Sequence, residues 1–248
     1  MASLSQTVPA RAARKVTAKR NGLLEEYFYF AMSLLFAAIV ITGFSRTVNQ
    51  NLFHPAIPRP FLLWVHGAAF SGWVAFYILQ SALVRSRNVK LHRQIGWIGA
   101  GLGALMPPLG VTIAIIMAQF DAVKLNQPDP AFLSIPIYDM LAFAVMVGLA
   151  ILWRRKPELH RRLLFLATCS LLDAPFGRSD FIFNHNLFFV CLDGVVLLGV
   201  VRDLIVNRSV HAVYRCAVPV MIVGQVLSVY LWRGSPAWWL KAMQSITS

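Results

Sequence analysis

The tripeptide Leu-His-Arg occurs twice, as Leu91-His92-Arg93 and Leu159-His160-Arg161, each time after a basic loop and at the opening of an apolar stretch. A neutral imidazole at such a boundary can ligate a metal ion, and two at one depth can form the axial pair of a haem iron. Gly96, Gly99 and Gly103 follow His92 by four, seven and eleven residues, so on a helix they share its face. That face has two readings. Gly99 and Gly103 make a GxxxG pair, which favours close packing of helices in lipid. A face bare of side chains beside a histidine also leaves room for a flat cofactor. His92, His160, Gly96, Gly99 and Gly103 are therefore the candidate cofactor-binding set, with the two histidines as metal ligands and haem b as the group.

A second group lies elsewhere along the chain. His66, Asp139, Asp173 and Asp193 all fall within apolar stretches. A carboxylate near the middle of a bilayer costs roughly 2.5 to 3.5 kcal/mol when unpaired, so each of these acids should face the protein interior and find a proton or a partner. They read either as an interhelical clamp or as an outer-half pocket for a proton, a cation or a polar solute. From His66 to Val84 a helix rises by about 27 Å, which keeps His66 away from any metal shared by His92 and His160.

The elements that must position these residues are membrane spans. The chain has 248 residues, 58% of them hydrophobic and 13% charged, with a mean hydropathy of +0.63, which is more apolar than a water-exposed surface tolerates. Apolar runs cover Tyr27 to Ser45, Phe61 to Val84, Ile95 to Phe120, Leu133 to Trp153, Leu163 to Gly177, Leu187 to Val201 and Val213 to Trp232. The expected fold is an all-α polytopic bundle of about seven transmembrane helices. Its parts are a disordered basic cytoplasmic tail (1–24), a transmembrane domain (25–233) and an interfacial or periplasmic tail (234–248).

Cations cluster before the first run and then in every second connection: Arg85, Arg87, Lys90 and Arg93; Arg154 to Lys156 with Arg161 and Arg162; and Arg202, Arg208 and Arg215. The positive-inside rule then places the N-terminus inside and, for seven spans, the C-terminus outside. The same rule accounts for the +13 net charge without a nucleic-acid partner. Cys169, Cys191 and Cys216 have no spacing suited to zinc or to a disulfide framework. The sequence lacks GxxxxGK[ST], HExxH, GxSxG and CxxCH, and it gives no reason to assert catalysis.

The run from His66-Gly67 through Trp73, Phe76, Gln80 and Leu83-Val84-Arg85 to Leu91-His92-Arg93-Gln94-Ile95-Gly96 resembles a family of bacterial multi-pass membrane proteins known as a domain of unknown function. The resemblance covers spans two and three and implies a multi-pass bacterial protein without a settled activity; the expected location is the bacterial inner membrane. A looser likeness is to the transmembrane ascorbate-dependent b-type cytochromes, in which histidines on four successive helices hold a haem near each face. His66, His92 and His160 sit on the second, third and fifth spans, but the fourth has no histidine. Only the inner pair carries over.

Three functions follow as expectations: a b-type haem protein moving electrons, with a membrane redox partner or as a homo-oligomer; a proton-coupled transporter using the outer-half group; or a structural partner in a membrane complex.

Overall fold

The computed structural model describes the backbone of residues 10–247 and the side chains of residues 22–247. Every regular element in that range is helical. In chain order these are α1 (Ala10–Ser45), α2 (Leu62–Arg85), α3 (Val89–Lys124), α4 (Ser134–Leu152), α5 (Pro157–Cys169), α6 (Asp173–Phe176), α7 (Asp180–Asn184), α8 (Phe188–Asn207), α9 (Ala212–Gly234) and α10 (Ala237–Thr247). A π-helical turn at Asn49–Phe53 follows α1, and a 3-10 turn at Pro130–Leu133 leads into α4. Of the basic tail expected to be disordered, residues 1–9 lie outside the described residues, and residues 10–24 belong to α1.

Five helices are long and apolar enough to cross a membrane: α1 from Gly22, α2, α3, α4 with its leading turn, and α9. The expected spans Leu163 to Gly177 and Leu187 to Val201 take other forms. The first is broken, because α5 ends at Cys169 after 13 residues and short helices α6 and α7 follow. The second, apart from its first residue Leu187, which caps the helix, lies within the 20-residue α8, which carries Asp193, Arg202 and Asp203. Irregular backbone at membrane depth persists where protein covers it, and α6 is covered by α1 and α8. Gly43 makes that contact possible: a Cβ there would sit 2.6 Å from Pro175 Cβ and 2.8 Å from its carbonyl carbon.

Helix α3 is continuous through Pro107 and Pro108 for 36 residues, about 54 Å at 1.5 Å per residue. It packs between α2 and α4, while α5 lies along α4 and α8. Phe36, Phe143, Phe165, Leu166 and Leu192 form the fully buried centre. Many apolar side chains face outward instead, among them Leu34, Leu141, Val190, Val223 and Val226, as a surface solvated by lipid requires. Helix α10 closes one end through the Trp239 indole N–H, which donates to the Ala131 carbonyl at 3.1 Å.

Candidate functional site

The two Leu-His-Arg segments meet. Asn88 caps α3 by accepting from the Leu91 amide at 3.3 Å, and Pro157 occupies the first position of α5, where its missing N–H costs nothing. Each histidine is thereby the fourth residue of its helix. The rings of His92 and His160 lie 6.3 Å apart between centres, at 79° to one another. His160 Nδ1 is 2.9 Å from the Ala150 carbonyl, one of the free carbonyls ending α4. That contact makes Nδ1 the protonated nitrogen and leaves Nε2 as the lone-pair nitrogen. The Gln80 backbone lies beside the His92 ring. His92 Nδ1 and both side-chain amide atoms of Gln80 are buried without a hydrogen-bond partner among the described residues.

The glycine face resolves differently along its length. A Cβ on Gly96 would meet open space, but one on Gly99 would strike the Phe76 ring, and one on Gly103 would come within 2.9 Å of Val147 and 3.1 Å of Trp73. The slot expected for a flat cofactor is filled at Gly99 and Gly103 by side chains of α2 and α4, so there the close-packing reading holds. Gly96 alone leaves space beside the histidines. No cluster of three or more histidines, cysteines or acids suited to a metal ion occurs among the described residues.

At the other end of the bundle the acids gather unevenly. Asp139 on α4 and Asp173, the first residue of α6, have their carboxyl groups in contact and are only 4% and 8% exposed. Two carboxylates offer no donor, so a hydrogen bond between them would need a proton. Asp139 Oδ1 and His66 Nδ1 are buried and unpartnered among the described residues. Arg178, packed 5.1 Å over the Phe44 ring, exerts its charge on both Asp173 and His66. Asp193 is tied elsewhere, accepting from Gln225 Nε2 at 3.0 Å across α8 and α9. The predicted set of four thus becomes Asp139 and Asp173 in contact, His66 linked to them through Arg178, and Asp193 apart.

A third cluster was missed by sequence reasoning. Arg162 grips Asp203 with two bonds, Nε to Oδ2 at 2.9 Å and Nη2 to Oδ1 at 2.7 Å, while its Nη1 reaches Glu158 Oε2 at 2.6 Å. Arg202 Nη1 adds a bond to Asp203 Oδ1 at 2.9 Å. The Arg162, Arg202 and Asp203 side chains are 0%, 1% and 0% exposed. Burial alone would raise the Glu158 pKa, but its hydrogen bond to Arg162 and the charges of Arg161 and Arg162 outweigh this and hold the carboxyl below its ordinary value. The signal available in sequence was the i, i+4 pair Glu158 and Arg162, together with Asp203, an acid among the boundary cations. No family model, curated protein or solved structure matches the chain.

Proposed function

We propose that this multi-pass membrane protein is a proton-coupled carrier of a small polar or ionic solute, with Asp139 and Asp173 as its proton-binding pair. One observation carries the reading: two buried carboxyls meet where the fifth apolar run breaks between α5 and α6. Intramembrane ionisable groups at discontinuous helices are the usual construction of ion and substrate sites in transporters. The pair gives up its proton when a positive charge approaches, and Arg178 is the resident cation nearby. A cationic solute entering beside Asp173 would have the same effect.

The threading belongs to the proposal. The ends of α2, α4 and α8 and the starts of α3, α5 and α9 carry the basic residues, and the positive-inside rule assigns that end to the cytoplasm of a bacterial inner membrane. The test has two readouts. Infrared spectra of the reconstituted protein should contain a protonated-carboxyl band that disappears in Asp139→Asn and in Asp173→Asn. Proton flux into pyranine-loaded proteoliposomes under an imposed potential should fall to background in Asp139→Asn while its unfolding midpoint stays in place. An unchanged band, or unchanged flux, removes the reading.

The histidine spacing favours a second reading. His92 and His160, with ring centres 6.3 Å apart, are the residues that would hold an iron-bearing group, which would supply one-electron transfer. Phe76 and Trp73 occupy the face a porphyrin would use, which ranks this reading second. A Soret band in purified protein, lost in His92→Ala, would reverse the ranking.

A further inference from the structure

We infer that the basic end of the protein holds the phosphate of an anionic phospholipid, with one acyl chain lying between α1 and α8. An open groove of about 220 Å³ runs there, walled by Phe28, Ala31, Met32, Leu198 and Val201, and Arg202 is also part of its lining. Ala31 and the neighbouring Leu198 and Val201 are exposed on the outer face of the bundle, so the groove opens sideways to lipid.

The polar groups behind it are short of acceptors. Arg202 spends Nη1 on Asp203, but its Nε and Nη2 are buried with no hydrogen-bond partner among the described residues. Glu25 places a carboxylate oxygen 4.0 Å from Nη2, beyond hydrogen-bonding reach. The hydroxyls of Tyr29 and Tyr214 are likewise buried and unpartnered. Arg202 and Arg161 stand 5.7 Å and 5.4 Å from the Tyr29 ring centre. Every one of these unsatisfied groups can donate, and a bound acceptor would satisfy them. Arg161, Arg162 and Arg202 face Asp203, Glu158 and, at the mouth, half-exposed Glu25, so the formal charges balance while the guanidinium of Arg202 still has two unmet donors.

A phosphodiester supplies acceptor oxygens and a single negative charge, and basic pockets between helices at the cytoplasmic boundary are where such headgroups lodge. The apolar approach selects a lipid over free phosphate, and the unpartnered donors of Arg202, Tyr29 and Tyr214 favour a headgroup that brings acceptor oxygens and no ammonium donor. The site lies at the opposite end from Asp139 and Asp173, so its success or failure is independent of the carrier reading.

The test uses delipidated protein in detergent, with native mass spectrometry and thermal unfolding read against three probes: dioleoylphosphatidylglycerol, dioleoylphosphatidylcholine and inorganic phosphate. The glycerol lipid should bind about tenfold more tightly than the choline lipid and raise the unfolding midpoint, and phosphate alone should do neither. Ala31→Trp, which fills the groove without touching a charge, should abolish the preference, as should Arg202→Gln. Where a variant does not fold, the wild-type comparison decides: equal binding of the two lipids, or a phosphate effect equal to that of the glycerol lipid, overturns the assignment. Full lipid preference in folded Ala31→Trp overturns it as well.

Discussion

Replacing Asp203 with alanine tests the buried charge cluster most directly. The substitution removes both bonds of the Arg162 fork and the one bond Arg202 makes to it, along with the bond from Asn207 Nδ2 at 3.2 Å. Arg162 keeps the Glu158 carboxylate and its backbone carbonyl, at 2.6 Å and 2.8 Å. Arg202 keeps only Glu25 at 4.0 Å. Breaking a buried ion pair from one side costs roughly 3–5 kcal/mol, because the remaining charge stays buried without compensation. Glu158→Gln provides the scale. The Glu158 side chain is 54% exposed, and pairs of that exposure contribute less than about 1 kcal/mol. Reversible denaturant titration in mixed micelles should separate the two variants by at least about 2 kcal/mol. If Asp203→Ala costs no more than Glu158→Gln, Asp203 does not hold α5 to α8 and the electrostatic reasoning fails.

Three further outcomes are expected. Gly199→Ala should destabilise by about 1–3 kcal/mol, because the new Cβ would meet the Tyr214 hydroxyl and lie 2.7 Å from Phe165; adding Tyr214→Phe should recover part of the loss in the same titration. Gly43→Ala pushes α1 off the Pro175 backbone, which cannot rotate away, so proton flux should fall although no polar group has changed. The Glu158 carboxyl, held below its ordinary value in the fold, contributes stability that is complete above its unfolded pKa and disappears as the pH falls through the lowered folded value. An acid unfolding limb shallower in Glu158→Gln than in wild type would verify the sign, and identical limbs would refute it.

The helical bundle and the meeting of the two Leu-His-Arg segments were legible because both rest on local rules. Apolar run length identifies spans, and equal distances from caps Asn88 and Lys156 put His92 and His160 at one level. The break after Cys169 was not legible. Leu163 to Gly177 is apolar almost throughout, and the chain's departure from a straight span depends on Gly43, 130 residues earlier in sequence than Asp173, offering a flat surface to Pro175. Asp139 and Asp173 were recognisable singly from the cost of a charge in lipid; their contact needed α6. Arg162 and Arg202 misled for a different reason: a boundary arginine satisfies the topology rule whether it points to water or inward, so the rule conceals burial. The glycine face shows the limit of helical periodicity, which predicts a shared side but not the Phe76 and Trp73 rings that occupy it.

The 36 residues of α3 make a rod of about 54 Å set in a hydrocarbon layer of about 30 Å. Such a rod either leans or projects, and the choice depends on the thickness of the host membrane. Because His92 rides near one tip and α10 is fastened near the other through Gln119 and Ile246, any change in lean swings both attachments in opposite senses. A change of membrane thickness would then act on the paired imidazoles and on α10 together, without a ligand binding anywhere.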